Sequence, residues 1–356
     1  MRIFQVVNTV MSGDAIGNNI LFMYHILKKF DPDTKIYAIN IANNLKQNYI
    51  KHLKDLSFIR PDDVIIYHLC ECSEIHEWLN NVNCKKIAIY HNTTPPEFFR
   101  KYDLRTYFRQ IKSVMEIQKL NKMFDCCIAD SEFNKSDLVE MGFAADKIIV
   151  MPLLLATYEY TEDIDNLKPY FEDDMVNILF VGRVVPHKKQ EDIIRAFAYY
   201  KKFINKNSRL ILIGSPFTNS YLDALKMYVN ELGISDVVFK SGLSFTDIKR
   251  IYKSADLFLC MSEHEGFCVP LVEAMLFDIP IIAYKSTAVT ETLGPGGCLV
   301  DTKNIHFIAN CIDKILSDDE LKNEILAYQR ERVKNFEYDL VYARWEKLLG
   351  KLLSEV

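Results

Sequence analysis

The residues best equipped for chemistry lie in one run, Ser262-Glu263-His264-Glu265-Gly266-Phe267-Cys268-Val269-Pro270-Leu271-Val272-Glu273-Ala274-Met275, directly after an apolar segment ending near Cys260. Pro270 suits the first turn of a helix, where its missing N–H would have had no intrahelical partner. Gly266 to Val269 then form a tight turn whose backbone N–H groups lie at a helix start. Such groups, added to the helix dipole, attract an anion. Glu265 falls at the mouth of this turn, and Glu273, one helical turn in, can accept hydrogen bonds from hydroxyl groups. The plain alternative is that Glu273 complements the helix dipole and Glu265 is a solvated loop charge.

A second loop, Val181-Gly182-Arg183-Val184-Val185-Pro186-His187-Lys188-Lys189, also follows an apolar run and precedes a helical pattern beginning near Glu191. A glycine lets backbone approach a phosphate, and Arg183 with Lys188 can present fixed positive charge to a diphosphate. A basic loop alone is usually solvated surface. Two anion-seeking loops in one half of a chain point to a shared ligand.

The first half of the chain is less specific. Ser12-Gly13-Asp14-Ala15-Ile16-Gly17-Asn18-Asn19 opens a helix after the first apolar run but has only Gly13 and Gly17, so it is no dinucleotide fingerprint. Asp14 serves equally well as a helix cap, as does Ser131 in Asp130-Ser131-Glu132-Phe133-Asn134-Lys135. His91, in His91-Asn92-Thr93-Thr94-Pro95-Pro96, ends a strand pattern, where a histidine is commonly a structural hydrogen-bonder. His68, Cys70, Cys72 and His76 cluster, but without the paired spacing of a zinc site, and no metal is assigned to them.

Positioning these residues requires short β-branched runs alternating with helix-period segments, the pattern of βαβ units around parallel sheets. The strand candidates are Ile3–Val7, Ile36–Ile41, Val64–Leu69, Ile87–Tyr90, Cys126–Ala129 and Ile148–Val150, and then Val176–Val181, Leu210–Ile213, Val237–Lys240, Leu257–Cys260, Ile281–Ala283 and Cys298–Val300. Between the two sets, Met151–Asp174 carries Pro152, Pro169 and acidic runs and reads as a linker. The expected organisation is a Rossmann-like domain over 1–155, a linker over 156–174, a second Rossmann-like domain over 175–335, and a helix over 336–356 packing back on the first domain. The terminal helix shows an apolar stripe of Leu340, Trp345, Leu348, Leu349 and Leu352 that must be buried on something. In doubly wound sheets, ligands bind beyond the carboxyl ends of the strands, so two such sheets facing a cleft would place both loops at it.

The bulk numbers agree. At 356 residues the chain exceeds what one core usually supports, since domains run to roughly 150 residues. With 43 Lys+Arg against 48 Asp+Glu, a net charge of -5 advertises no nucleic acid partner. Nine cysteines without regular spacing read as reduced thiols. The start is too short in apolar residues for a signal peptide, and no apolar stretch reaches the ~18 residues that span a bilayer. A cytoplasmic location is expected. Lys28, Lys29, Lys46, Lys51 and Lys54 leave open peripheral contact with the inner face of a membrane, a solvated surface being the ordinary alternative.

In Glu265-Gly266-Phe267-Cys268-Val269-Pro270 and Glu273, an E-x7-E spacing, and in Gly182-Arg183 with Lys188, the chain resembles the family-4 retaining glycosyltransferases, glycosyl transferases group 1, of the GT-B fold. Ile213-Gly214 and Ser241-Gly242-Leu243 resemble loops that flank the nucleotide base there. The resemblance implies an α/β, GT-B chain that moves a hexose from a UDP- or GDP-sugar, the GDP-mannose type preferred, to a saccharide or lipid-linked glycan in surface polysaccharide or glycoconjugate synthesis. It also implies roles: His91 and Glu265 at the reaction centre on the transferred sugar, backbone of Gly266, Phe267 and Cys268 supporting that sugar, Arg183, Lys188 and Gly13 on the diphosphate, Glu273 on the ribose and Leu243 on the base. No metal or other cofactor is expected, because fixed cations neutralise the leaving group. Cys268 stands where glycine is common, and Ser286-Thr287-Ala288-Val289-Thr290-Glu291 lacks the usual glycine pair. A non-catalytic sugar-nucleotide-binding or scaffold protein of the same fold is the alternative; it would be expected to lose Glu265, Arg183 or Lys188, and all three are present.

Overall fold

The computed structural model describes every residue except Ser12, Asp14, Asn44, Lys46, Glu355 and Val356. The cap reading of Asp14 and the parts given to Ser12 and Lys46 lie outside the described residues. The chain forms two compact units, Met1–Glu97 with Arg105–Leu155 and Phe336–Val356, and Phe98–Leu104 with Ala156–Asn335.

The first unit is built on a seven-stranded sheet. Its strands are β1 (Ile3–Val10), β2 (Lys35–Ile41), β3 (Ile50–His52), β4 (Val64–Leu69), β5 (Lys85–Tyr90), β6 (Cys126–Ala129) and β7 (Ile148–Val150). They lie in the order β3-β2-β1-β4-β5-β6-β7, every pairing parallel. Helices cover both faces, so a central strand such as β4 is buried along its whole length and reads as an apolar run instead of an alternation. The strand without a sequence signal is β3, whose three residues, Ile-Lys-His, bury only Ile50.

The terminal helix Tyr338–Ser354 belongs to this unit. Its buried stripe of Val341, Trp345, Leu349 and Leu352, with Leu340 of the expected stripe exposed instead, joins Met23, Ile26 and Leu27 of helix Ala15–Leu27 in one cluster. The Trp345 indole N–H, inside that apolar cluster, donates to the Pro152 carbonyl at 2.9 Å.

The second unit carries a six-stranded parallel sheet of β8 (Val176–Val181), β9 (Ser208–Ile213), β10 (Val237–Lys240), β11 (Leu257–Cys260), β12 (Ile281–Tyr284) and β13 (Cys298–Val300), in the order β10-β9-β8-β11-β12-β13. The expected α/β class with two doubly wound sheets therefore holds. The stretch read as a linker is folded along helix Phe245–Lys253 of this unit: Lys249 donates to the Glu159 and Glu162 carbonyls at 2.9 and 2.7 Å, and Lys253 to that of Ile164 at 2.7 Å. Among the described residues, no helix is long and apolar enough to cross a membrane.

Candidate active site

In the second unit the strand order reverses between β8 and β11, which are paired neighbours. The loops leaving these strands, Gly182–Lys189 and Met261–Cys268, therefore emerge side by side at the switch point, where open α/β sheets bind ligands. A hydrogen bond from the Glu263 amide to the His187 carbonyl, 2.8 Å, ties the two loops together.

Lys188 and Glu265 meet across this junction. The Lys188 ammonium lies 2.5 Å from each Glu265 carboxylate oxygen, with side-chain exposures of 14% and 7%. Burial works against the Lys188 charge, and the Glu265 carboxylate more than offsets it, so the Lys188 pKa stays above its ordinary value. The Glu265 main chain is fixed as well, its N–H donating to Thr287 Oγ1 at 2.9 Å, while Ser286 Oγ donates to the Ser262 carbonyl at 2.7 Å. The Ser286-Thr287 segment, which lacks the usual glycine pair, thus braces the Glu265 loop through hydroxyl groups.

Arg183 lies on the same loop as Lys188, with its guanidinium exposed and without a carboxylate partner among the described residues. Its carbonyl accepts from Gln190 Nε2 at 2.9 Å, which fixes the backbone beneath the charge. Gly182 packs under the next loop so tightly that a Cβ on Gly214 would stand 1.9 Å from the Gly182 carbonyl oxygen. Glycine at 214 is demanded by that approach. Burial and the nearby Lys188 hold His187 well below the usual histidine range, and burial pushes His264 down to about 4.

Cys268 caps helix Val269–Leu276 with φ 74° and ψ 62°, the left-handed conformation that glycine adopts at least cost, so a buried cysteine here carries backbone strain. Five residues on, Glu273 accepts from the Tyr160 hydroxyl on one oxygen and the Tyr252 hydroxyl on the other, each at 2.5 Å. Burial raises the Glu273 pKa and the two phenols pull it back part of the way. Neither tyrosine was singled out in the sequence, for no local spacing links Tyr160 or Tyr252 to Glu273. Nor was Lys303, which reaches Glu263 at 2.6 Å and Asp192 at 2.7 Å and braces the outer side of the loop. Leu243 is half-buried beyond β10, after Gly242 with φ 66°.

The structure thus brings Lys188, Glu265 and Cys268 together, with Arg183 on the adjoining loop and Glu273 in the helix that Cys268 starts. Gly13 and His91 belong to the first unit. Gly13 follows β1 with φ 90°, its N–H donating to Asn18 Oδ1 at 3.1 Å. His91 follows β5, and its ring nitrogens both have protein partners, His68 at Nε2 and Asp130 at Nδ1, each at 2.9 Å. His68, Cys70, Cys72 and His76 do not converge; His76 is engaged by Tyr67 and Glu116 at 2.9 and 3.1 Å.

Two Rossmann-like parallel-sheet units define the GT-B fold class. Residues 165–332 match the family model for glycosyl transferases group 1. An uncharacterised glycosyltransferase of Methanocaldococcus jannaschii is 33% identical over 150 residues, 41% of this chain and 37% of its own length. The capsular polysaccharide biosynthesis glycosyltransferase CapM of Staphylococcus aureus is 27% identical over 188 residues, 51% of this chain and 48% of its own. The aligned segments thus span half or less of these relatives. Among solved structures, Anabaena HepE in complex with UDP-glucose superposes with a TM-score of 0.76, covering 99% of this chain and 100% of that one at 19% identity, a likeness of fold.

Proposed function

We propose that the chain is a metal-independent, retaining glycosyltransferase that moves a hexose from a UDP- or GDP-sugar to a saccharide or lipid-linked glycan acceptor. The observation that carries this reading is the Lys188–Glu265 pair at the sheet's switch point with the exposed Arg183 guanidinium on the same loop. An ammonium has three N–H donors, so Lys188 can keep Glu265 in place and still donate to a diphosphate oxygen. Arg183 adds a planar fork suited to phosphate.

In the proposed reaction the bond from the anomeric carbon to the diphosphate oxygen breaks, and its electron pair leaves with the diphosphate. Arg183 and Lys188 take up the charge that develops there, the part that a divalent metal plays in other transferases. Glu265 and the backbone of Gly266, Phe267 and Cys268 hold the sugar, Glu273 the ribose and Leu243 the base. The acceptor hydroxyl attacks on the face the diphosphate leaves, and its proton passes to a diphosphate oxygen. Both ring nitrogens of His91 are engaged within the first unit, and its part on the transferred sugar stays what the resemblance implies.

The test is a hydrolysis and transfer assay with UDP-, GDP- and ADP-sugars in EDTA, comparing wild type with Glu265→Ala, followed by NMR of the product's anomeric configuration. Release of sugar from one donor by wild type alone, with retention, supports the reading. A requirement for a divalent metal, or an inverted product, contradicts it.

A further inference from the structure

A line of polar side chains crosses the buried first sheet. Gln5 on β1, His68 on β4, His91 just after β5 and Asp130 just after β6 stand on successive neighbours in the order β1-β4-β5-β6. Three contacts of 2.9 Å join them: Gln5 Oε1 to His68 Nε2, His68 Nδ1 to His91 Nε2, and His91 Nδ1 to Asp130 Oδ2. Gln5 and His68 are 0% exposed and Asp130 4%. The two imidazoles lie nearly parallel, 3° apart.

Counting protons gives this chain a definite state. With the Gln5 carbonyl oxygen facing His68, the first link needs a proton on His68 Nε2, because an amide oxygen only accepts. His68 Nδ1 is then bare, so the second link needs a proton on His91 Nε2. The third needs one more between His91 Nδ1 and Asp130. Three protons over two imidazoles and one carboxyl give zero net charge, whether the last one sits on the ring or on the acid. Turning the Gln5 amide reverses every donor, leaving two protons, an Nδ1–H on each ring, and a net charge of -1 on a buried carboxylate. As placed, Gln5 Nε2 has no hydrogen-bond partner among the described residues. Asp130 Oδ1 is itself without a hydrogen-bond partner, so a lone carboxylate there would be poorly compensated.

We infer that Gln5, His68, His91 and Asp130 form one net-neutral unit sharing three protons, in which Gln5, His68 and Asp130 are positioning residues that fix His91 at the end of β5. Only the kinetic arm below rests on the proposed transferase activity. Burial lowers the His68 pKa well below the usual value and raises that of Asp130, as a shared, charge-free network requires.

The test is a long-range 1H–15N spectrum of the full chain labelled with 15N-histidine, at pH 7. Nε2–H on both His68 and His91, with His68 Nδ1 bare, is the expected result; Nδ1–H on both rings with bare Nε2 atoms overturns the inference. Gln5→Met removes the acceptor and should convert His68 to its Nδ1–H form while the thermal transition remains cooperative. An unchanged His68 tautomer in that variant also overturns it. In donor hydrolysis, Gln5→Met should lower kcat by roughly tenfold or more, with the donor KM held within about twofold. Expected tautomers with no hydrolysis by wild type would instead remove the transferase reading and leave the proton count intact.

Discussion

The Tyr252 hydroxyl donates to Glu273 Oε2 at 2.5 Å and the Tyr160 hydroxyl to Oε1 at the same distance, so the one carboxylate inside helix Val269–Leu276 is held from two separate segments of the second unit. Tyr160 comes from the stretch leading into that unit and Tyr252 from helix Phe245–Lys253. Glu273 therefore links the chemistry proposed for its helix to the docking of the connecting segment.

Because burial raises the folded pKa of Glu273 above its ordinary 4.5, the native chain binds this proton more tightly than the unfolded chain does. The stability it contributes is complete below 4.5 and is lost as pH rises through the raised folded value. The unfolding free energy of wild type relative to Glu273→Gln should thus fall as pH increases across that window. Urea titrations at several pH values check the sign; a relative stability that rises with pH contradicts it.

Lys188→Met should leave the Glu265 carboxylate buried beside a thioether. Breaking a buried pair in this way costs about 3–5 kcal/mol. Lys188→Met with Glu265→Gln should regain most of that stability while donor hydrolysis stays lost. A double-mutant cycle by chemical denaturation, with hydrolysis measured in parallel, separates the structural from the chemical part.

Gly214→Ala should displace the Gly182 carbonyl, which a Cβ would approach to 1.9 Å. Overpacking typically costs about 1–3 kcal/mol, and contact with backbone puts this site at the upper end. Since Gly182 precedes Arg183, nucleotide binding should weaken together with stability. Calorimetric titration and thermal unfolding of the same variant check both.

Much of this architecture is legible in the sequence because parallel sheets bury their strands on both faces. Val64–Leu69 and Leu257–Cys260 announce themselves as apolar runs, whereas β3, with Lys51 and His52 exposed, carries no such signal. The loops after β8 and β11 were found because glycine, proline and charge stand at fixed offsets from strand ends. Partners distant in sequence were not: Lys188 meets Glu265 across 77 residues and Tyr160 meets Glu273 across 113. The sequence shows that His91 ends a strand; that both its nitrogens are taken depends on the neighbouring strands β4 and β6.

Trp345→Ala should open a cavity in the cluster that the terminal helix completes in the first unit, since Trp345 is 0% exposed. Truncating a buried tryptophan costs about 3–5 kcal/mol. Both tryptophans of the chain, Trp78 and Trp345, lie in that unit, so Trp78 fluorescence reports its unfolding in the variant. A denaturation midpoint equal to that of wild type would contradict the packing role of the helix.

The most direct test of the central claim is calorimetric titration of UDP and GDP into wild type, Arg183→Ala and Lys188→Ala with EDTA throughout. Binding of one nucleotide to wild type, weakened at least about tenfold in each variant, is the predicted result, as the loss of a charge-assisted contact of about 1.5–3 kcal/mol implies. Binding that requires a divalent metal, or that is indifferent to both substitutions, would contradict a diphosphate site built from these two cations.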